Sequence, residues 1–308
     1  MLGELVTALE ADGQHARAVA VLEDHEPVME WTHRFQYVYN ALMAGRLDKA
    51  RDGFALLPDP ADAWRPARDK VRRMLARAAT MRPVAPLDVW DLRGWHYVLT
   101  GGILAALSPW GFGAGMTGRW AYVSDSPRNC AAALGRLRLI LAAAGTRPES
   151  VAPLPDRSSQ ILGTAAATVL GLPTRAFEPG EPAAHCLVVA YDLTQARPAA
   201  AGALRERRPG RVLFERATCW TSPPRVTADI TGLLAQVTVP PWAGQLRRLD
   251  DGTIGQGPDD DRPAEQIAAE IAATPPEPDE GDGETPPDPD QALRRFTETA
   301  AAPGTLGR

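Results

Sequence analysis

The chain is short of cysteine, nearly without lysine, and has no long apolar run. Each shortage narrows what it can be. Its three cysteines, Cys130, Cys186 and Cys219, lie far apart and form no CxxC pair. That spacing offers neither a disulfide framework nor a zinc-ligand set, and it predicts reduced thiols in a cytoplasmic protein. The most apolar stretch, Val98 to Leu107, is about half the ~20 residues that a membrane span requires, and Ser108 and Pro109 interrupt it. No cationic segment followed by an apolar one opens the sequence, so neither a secretory leader nor a membrane partner is expected.

A strong charge of one sign is also missing. The 308 residues carry 33 Lys+Arg against 38 Asp+Glu, for a net charge of −5. The distribution matters more than the sum. Residues 1–257 hold 29 basic and 25 acidic side chains, whereas residues 258–308 hold 4 and 13. The body is mildly basic and the tail strongly acidic. A weak, unclustered excess does not make a nucleic-acid surface, so no nucleic-acid partner is expected.

What is present reads as three regions: helices over 1–82, an α/β domain over 83–257, and an acidic, Pro-rich tail over 258–308. Leu2, Leu5, Val6 and Leu9 recur at helical spacing, and Ala18, Val19, Val21 and Leu22 supply a second face after Gly13. Tyr39 and Leu42, then Gly45, then Ala50, Phe54 and Leu57 repeat the arrangement before Pro58 and Pro60. Arg65, Arg68, Lys70, Arg72, Arg73 and Arg77 form a basic stretch, read as a solvated helix face.

Residues 83–125 are rich in Trp and Gly. GWHYVLTGGILAAL reads as a strand leading to a helix, and RWAYVSD as a strand. GFGAGMTG lacks the GxGxxG register and reads as a glycine-rich turn. From Asp125 onward the signals sharpen. Ser126 before Pro127 is an N-cap followed by Pro at the first helical position, and Cys130, Leu134, Leu137 and Leu141 make one apolar stripe ending at Gly145.

Strand Val151–Leu154, a polar loop, helix Ser159–Leu170, a short strand Thr174–Phe177, the apolar run CLVVAY from Cys186, a helix from Pro198, and the strand RVLFERA follow in turn. Strands alternating with helices predict a parallel sheet flanked by helices. Residues 217–257 are mixed, with VTVPPWAGQLRRL read as a last strand, and a short helix over Ala264–Ala273 comes next. Residues 274–308 are read as disordered because TPPEPDEGDGETPPDPD is acidic and lacks aromatics.

Ligands of open parallel sheets bind beyond the carboxyl ends of the strands. Two strands here end in polar loops, the first at Asp156, Arg157, Ser158 and Ser159, the second at Asp192 and Thr194. Should the strands be neighbours, the backbone amides at the helix start and Arg157 suit an anion, and Asp192 suits a hydroxyl or a magnesium ion. The same side chains also read as plain helix caps. No metal site and no resident cofactor are expected, with magnesium entering only alongside a phosphorylated ligand. Ser158 or Ser159 with His185 lacks the GxSxG elbow of a hydrolase.

Two resemblances accompany these readings. ADGQHARAVAVLEDHEP and MAGRLDKARDGFALLPDP align Gly13 with Gly45 and Ala18 with Ala50, and so resemble the tetratricopeptide repeat. That likeness implies helical hairpins and a protein partner. The order strand–PDRSS–helix–GLP–strand, then CLVVAYDLTQA–helix–strand, resembles a degenerate type I phosphoribosyltransferase. It implies that Asp156 to Ser159 face pyrophosphate oxygens and that Asp192 holds the ribose of phosphoribosyl pyrophosphate. Tyr191 stands where that family has its first acid, and TQARP replaces its Thr-Thr-Gly turn, which implies a lost or altered activity. The expected function is thus that of a scaffold or ligand sensor, with an enzyme of phosphorylated riboses or nucleotides as the alternative.

Overall fold

Two glycines set the geometry of the first hundred residues. Helix α1 (Leu2–Ala11) meets α2 (His15–Asp24) through Gly13, and α3 (Trp31–Met43) meets α4 (Leu47–Ala55) through Gly45. Both glycines are left-handed, at φ +68° and +72°. At the first turn the amides of Gly13 and Gln14 donate to Glu10 and Leu9, and at the second those of Gly45 and Arg46 donate to Leu42 and Ala41. These are the paired bonds of one C-terminal capping motif, used twice at an interval of 32 residues. Ala18 and Ala50, just beyond the turns, are wholly buried. The glycines lie past the first helix of each pair, not within it.

This computed structural model describes residues 2–25, 30–88, 90–107, 120–180, 185–219, 226–248, 252–275, 287–301 and 306. The described residues form a helical unit over 2–101 and an α/β unit over 102–107 and 120–306. The GFGAGMTG run lies outside them.

In the helical unit, consecutive helices pack on one another through α5 (Arg65–Met81) and α6 (Leu92–Thr100). Val6, Leu9 and Leu22 face the interior, while Leu5 is exposed. GWHYVLT is α6, a helix and not the expected strand. Asp91 explains it: its carboxylate accepts the amide of Gly94 at 2.8 Å, an N-cap that overrides the β preference of the aromatics. The strand comes afterwards, as β1 (Ile103–Leu104). Residues 83–101 thus fold with the helices and not with the α/β domain, tied in part by the Arg77 guanidinium bonding the carbonyls of Val98 and Leu99.

The α/β unit is built on a six-stranded sheet. Its strands are β1, β2 (Trp120–Ser124), β3 (Ser150–Pro153), β4 (Cys186–Ala190), β5 (Arg211–Thr218) and β6 (Ile230–Val239). The order is β1-β6-β5-β4-β3, β2 also pairs with β6, and these pairings are parallel. All five residues of β4 are buried, as a strand covered on both faces requires. On one face Ala152, Val188 and Leu213 pack with Ala200, Ala201 and Leu204 of α9 (Pro198–Arg205).

On the other face lie α7 (Pro127–Ala143) and α8 (Arg157–Leu170). Gly163 lets α8 settle on β3, because a Cβ there would come within 2.5 Å of the Pro153 ring. A glycine inside a helix costs about 1 kcal/mol against alanine, which this close packing offsets. The cap and stripe of α7 are as expected: Ser126 accepts the amide of Asn129, and Cys130, Leu134, Leu137 and Leu141 are buried.

Three segments differ from the sequence expectation. Thr174–Phe177 is reduced to one bridge, between Thr174 and Val151. Residues 230–239 form the strand β6 next to β5, so that of the expected strand VTVPPWAGQLRRL only Val237–Val239 and Leu246–Arg248 are in strands. The expected α10 (Ala264–Ala273) packs on α8, and the stretch 274–308 after it, read as disordered, holds a helix: α11 (Asp290–Ala300) packs on α7. Leu293 and Phe296 are buried there, and Asp288 forms a buried ion pair with Arg136. Residues 276–286, the most acidic part, lie outside the described residues. A short hairpin, β7 (Leu246–Arg248) with β8 (Ile254–Gln256), completes the unit.

Candidate functional site

β3 and β4 are adjacent, with Pro153 opposite Val189, so their terminal loops share one rim of the sheet. The two loops touch. Ser159 Oγ accepts the amide of Tyr191 at 2.9 Å, joining the start of α8 to the residue before Asp192. All six residues singled out in the sequence therefore lie on two neighbouring strand ends.

Their bonding is largely internal. Asp156 caps α8 by accepting the Ser159 amide at 2.8 Å. Arg157 extends to the carbonyls of Asp260 and Arg262, each at 2.8 Å. Ser158 Oγ accepts the indole N–H of Trp242 at 2.9 Å. Asp192 accepts both the amide and the hydroxyl of Thr194, at 2.8 and 2.7 Å. An incoming anion would meet the Asp156 carboxylate at the helix start and would compete with two carbonyls for Arg157. Among the described residues no three His, Cys, Asp or Glu side chains gather as a metal site.

Beneath the rim lies a buried network of residues that the sequence had not marked as site residues. The Tyr191 hydroxyl donates to Asp125 at 2.8 Å, and Arg216 pairs with Asp125 at 2.8 Å. The Cys130 thiol donates to the same carboxylate at 3.4 Å. Burial, then the Asp125 charge, pushes both the Tyr191 phenol and the Cys130 thiol up, so both remain protonated donors. Burial disfavours charge on Arg216, but Asp125 outweighs it and keeps the guanidinium charged. The Trp242 ring stands edge-on to Tyr191, 5.3 Å between centroids. The network thus clamps the ends of β4, β5 and the start of α7, with its thiol and phenol both engaged as donors to Asp125.

Glu215, next to Arg216, points to the opposite face. It accepts the Leu193 amide at 2.7 Å and the Thr218 hydroxyl. Burial raises its carboxyl to about 8, opposed by these donors and assisted by Asp192. One signal in the sequence pointed here. Adjacent strand residues face opposite sides, so a Glu-Arg pair inside a strand covered on both faces must bury both charges.

The helical unit has a site of a different kind. Helices α1, α3 and α5 line a cavity of about 530 Å3. Thr7 and Glu10 reach it from α1, Gln36 and Tyr39 from α3, and Lys70 and Val71 from α5, with Trp64 beside them. Thr7 and Glu10 on α1 and Gln36 and Tyr39 on α3 lie three apart, and on α5 Lys70 and Val71 lie three and four beyond Ala67, which also lines it, the spacing of a single helix face. Asn40, fully buried, fixes the wall by donating to Glu10 at 2.6 Å and facing the His15 ring at 2.9 Å. Burial, and next the Glu10 charge, push the Tyr39 phenol up. At one end Trp31 stacks on Phe35 at 5.3 Å, and Trp64 tilts against both.

Comparison with protein-family models, with curated proteins and with solved structures returned no match. No described helix is long and apolar enough to cross a membrane.

Proposed function

We propose that this chain is an interaction protein: its helical unit receives a segment of a partner protein, and its α/β unit serves as a scaffold or ligand-sensing body. The observation that carries this reading is the groove lined by one face each of α1, α3 and α5, beside which Trp64 stays 42% exposed. A large aromatic left in a concave surface is the usual anchor point of an interface. The repeated Gly13 and Gly45 turns support helical hairpins of the tetratricopeptide kind. The test fills the groove: Gln36→Trp in the full chain, compared with the unaltered chain in affinity capture. Loss of bound proteins with unchanged circular dichroism and melting is expected; an identical set of captured proteins sinks the reading.

The adjacency of the Asp156–Ser159 and Asp192–Thr194 loops favours a second reading. In it the rim takes a phosphorylated ribose or nucleotide, as a phosphoribosyltransferase-like domain would. Magnesium would arrive with the phosphate, and Asp192 is the carboxylate placed to meet it. Thermal-shift measurements with phosphoribosyl pyrophosphate, nucleotides and sugar phosphates, with and without magnesium, separate the two. A raised melting point supports the rim site, and none at millimolar ligand removes it.

A further inference from the structure

We infer that Glu215 is a proton-operated latch on the loop that carries Asp192 and Thr194: with its proton it holds the loop at the rim, and without it the loop is let go. The latch acts on the rim itself and needs no ligand there to be seen.

Two contacts hold the loop down, and both run through Leu193, the first residue of a short 3₁₀ turn, Leu193–Gln195. Its side chain is buried with Ala200, Ala201 and Leu204 of α9. Its amide donates to Glu215 Oε1 at 2.7 Å, while Oε2 bonds the Thr218 hydroxyl at the end of β5. A hydroxyl both donates and accepts, so the protonated carboxyl can donate to Thr218 and accept from Leu193 with nothing left unpaired.

The ionised carboxylate has no such fit. Glu215 is 2% exposed, and its neighbours across the sheet are Ala190 on β4 and Thr231 on β6. The buried residues of α9 are two alanines and a leucine, and Asp229, on the segment before β6, is taken up by Arg207. Among the described residues the charge that bears on Glu215 is Asp192, which has the same sign. A buried carboxylate facing a second acid is relieved when the loop lifts and water reaches it.

The motion is bounded. Tyr191 stays fastened, its amide on Ser159 and its hydroxyl on Asp125, and α9 begins at Pro198. What lifts is 192–196, and the Asp192 and Thr194 side chains of the rim go with it. Closed, the Glu215 carboxyl is raised to about 8; open, it returns to an ordinary 4.5. The closed loop is thus favoured most below pH 4.5 and is freed as pH rises through 8.

Native-state hydrogen exchange on the full chain tests this. Amides of 193–196 are compared with those of Val188 and Val189 in the middle of β4, at several pH values and low urea concentrations, each rate corrected for its intrinsic value at that pH. Opening of 193–196 should rise by at least about ten-fold between pH 6 and 8. It should also be nearly insensitive to urea, because a local opening exposes little surface, whereas exchange in β4 should respond steeply. Glu215→Gln, which offers an acceptor to Leu193 and a donor to Thr218 without a charge, should abolish the rise.

Loop amides that share the urea dependence of β4 at every pH would mean that Glu215 acts on global unfolding alone, and the latch falls. It falls equally if the rise is absent, or if it persists in Glu215→Gln. The urea comparison is made on the unaltered chain, so it decides the matter even should the variant fail to fold.

Discussion

Asp125 and Arg216 meet 2.8 Å apart with side-chain exposures of 0% and 3%, so the ion pair is sealed from water. Such a pair gains little over an apolar replacement, but losing one partner strands a charge in the interior. Arg216→Met should therefore cost about 3–5 kcal/mol. Arg216→Met with Asp125→Asn should cost less than the two single changes summed, because no bare charge remains. Urea unfolding of the four proteins checks this. Additive losses would show that the two residues act independently.

Glu215 gives stability a pH dependence of known sign. Its folded carboxyl is raised to about 8 from an ordinary 4.5, so the folded state holds the proton more tightly than the unfolded one. The favourable contribution is full below pH 4.5 and is lost as pH rises through 8. Glu215→Gln, which preserves the contacts to Leu193 and Thr218, should flatten the curve in that window and stabilise the protein on the alkaline side. Denaturation midpoints between pH 5 and 9 test it. A variant as pH-sensitive as its parent would refute the assignment.

Trp242 is 3% exposed, bonds Ser158 and abuts Tyr191. Trp242→Ala should cost about 3–5 kcal/mol, the usual range for emptying a buried aromatic site. Trp242→Phe keeps the ring but removes the N–H and should cost about 1 kcal/mol. Hydrogen exchange at the amides of residues 157–160 should accelerate in both. Unchanged exchange would mean that Trp242 does not hold the start of α8.

Arg136 fastens α11 to the sheet-bearing unit. Besides the Asp288 carboxylate, it bonds the carbonyls of Asp288 at 2.7 Å and Ala105 at 2.6 Å. Arg136→Met should lower stability by about 3 kcal/mol. It should also open residues 287–301 to protease before the rest of the unit unfolds. If α11 keeps its protection, Leu293 and Phe296 alone suffice to dock it.

Much of the sheet-bearing unit was legible in the sequence because its signals are local. The Ser126–Pro127 start, the apolar run of β4 and the helix over Ala264–Ala273 each depend on neighbouring residues alone. What escaped depended on distant contacts. Residues 230–236 join a strand of which only Val237–Val239 was legible, because β5 and β2 flank them, and α11 is fixed by a residue 152 positions away. At the rim, Asp156, Ser158 and Asp192 were readable as loop residues. That Trp242 and the carbonyls of 260 and 262 would engage that loop was not, since a main-chain acceptor leaves no mark in composition.

Arg157 grips the chain through carbonyl oxygens of Asp260 and Arg262, and every amino acid has a carbonyl oxygen. The contact is therefore blind to which side chains occupy 260 and 262, although it is strict about the path the backbone takes there. Substitution scanning through this acidic stretch would pass over it without effect. Removing a single residue would shift both acceptors at once and release the guanidinium, so this contact constrains the length of the segment and not its side chains.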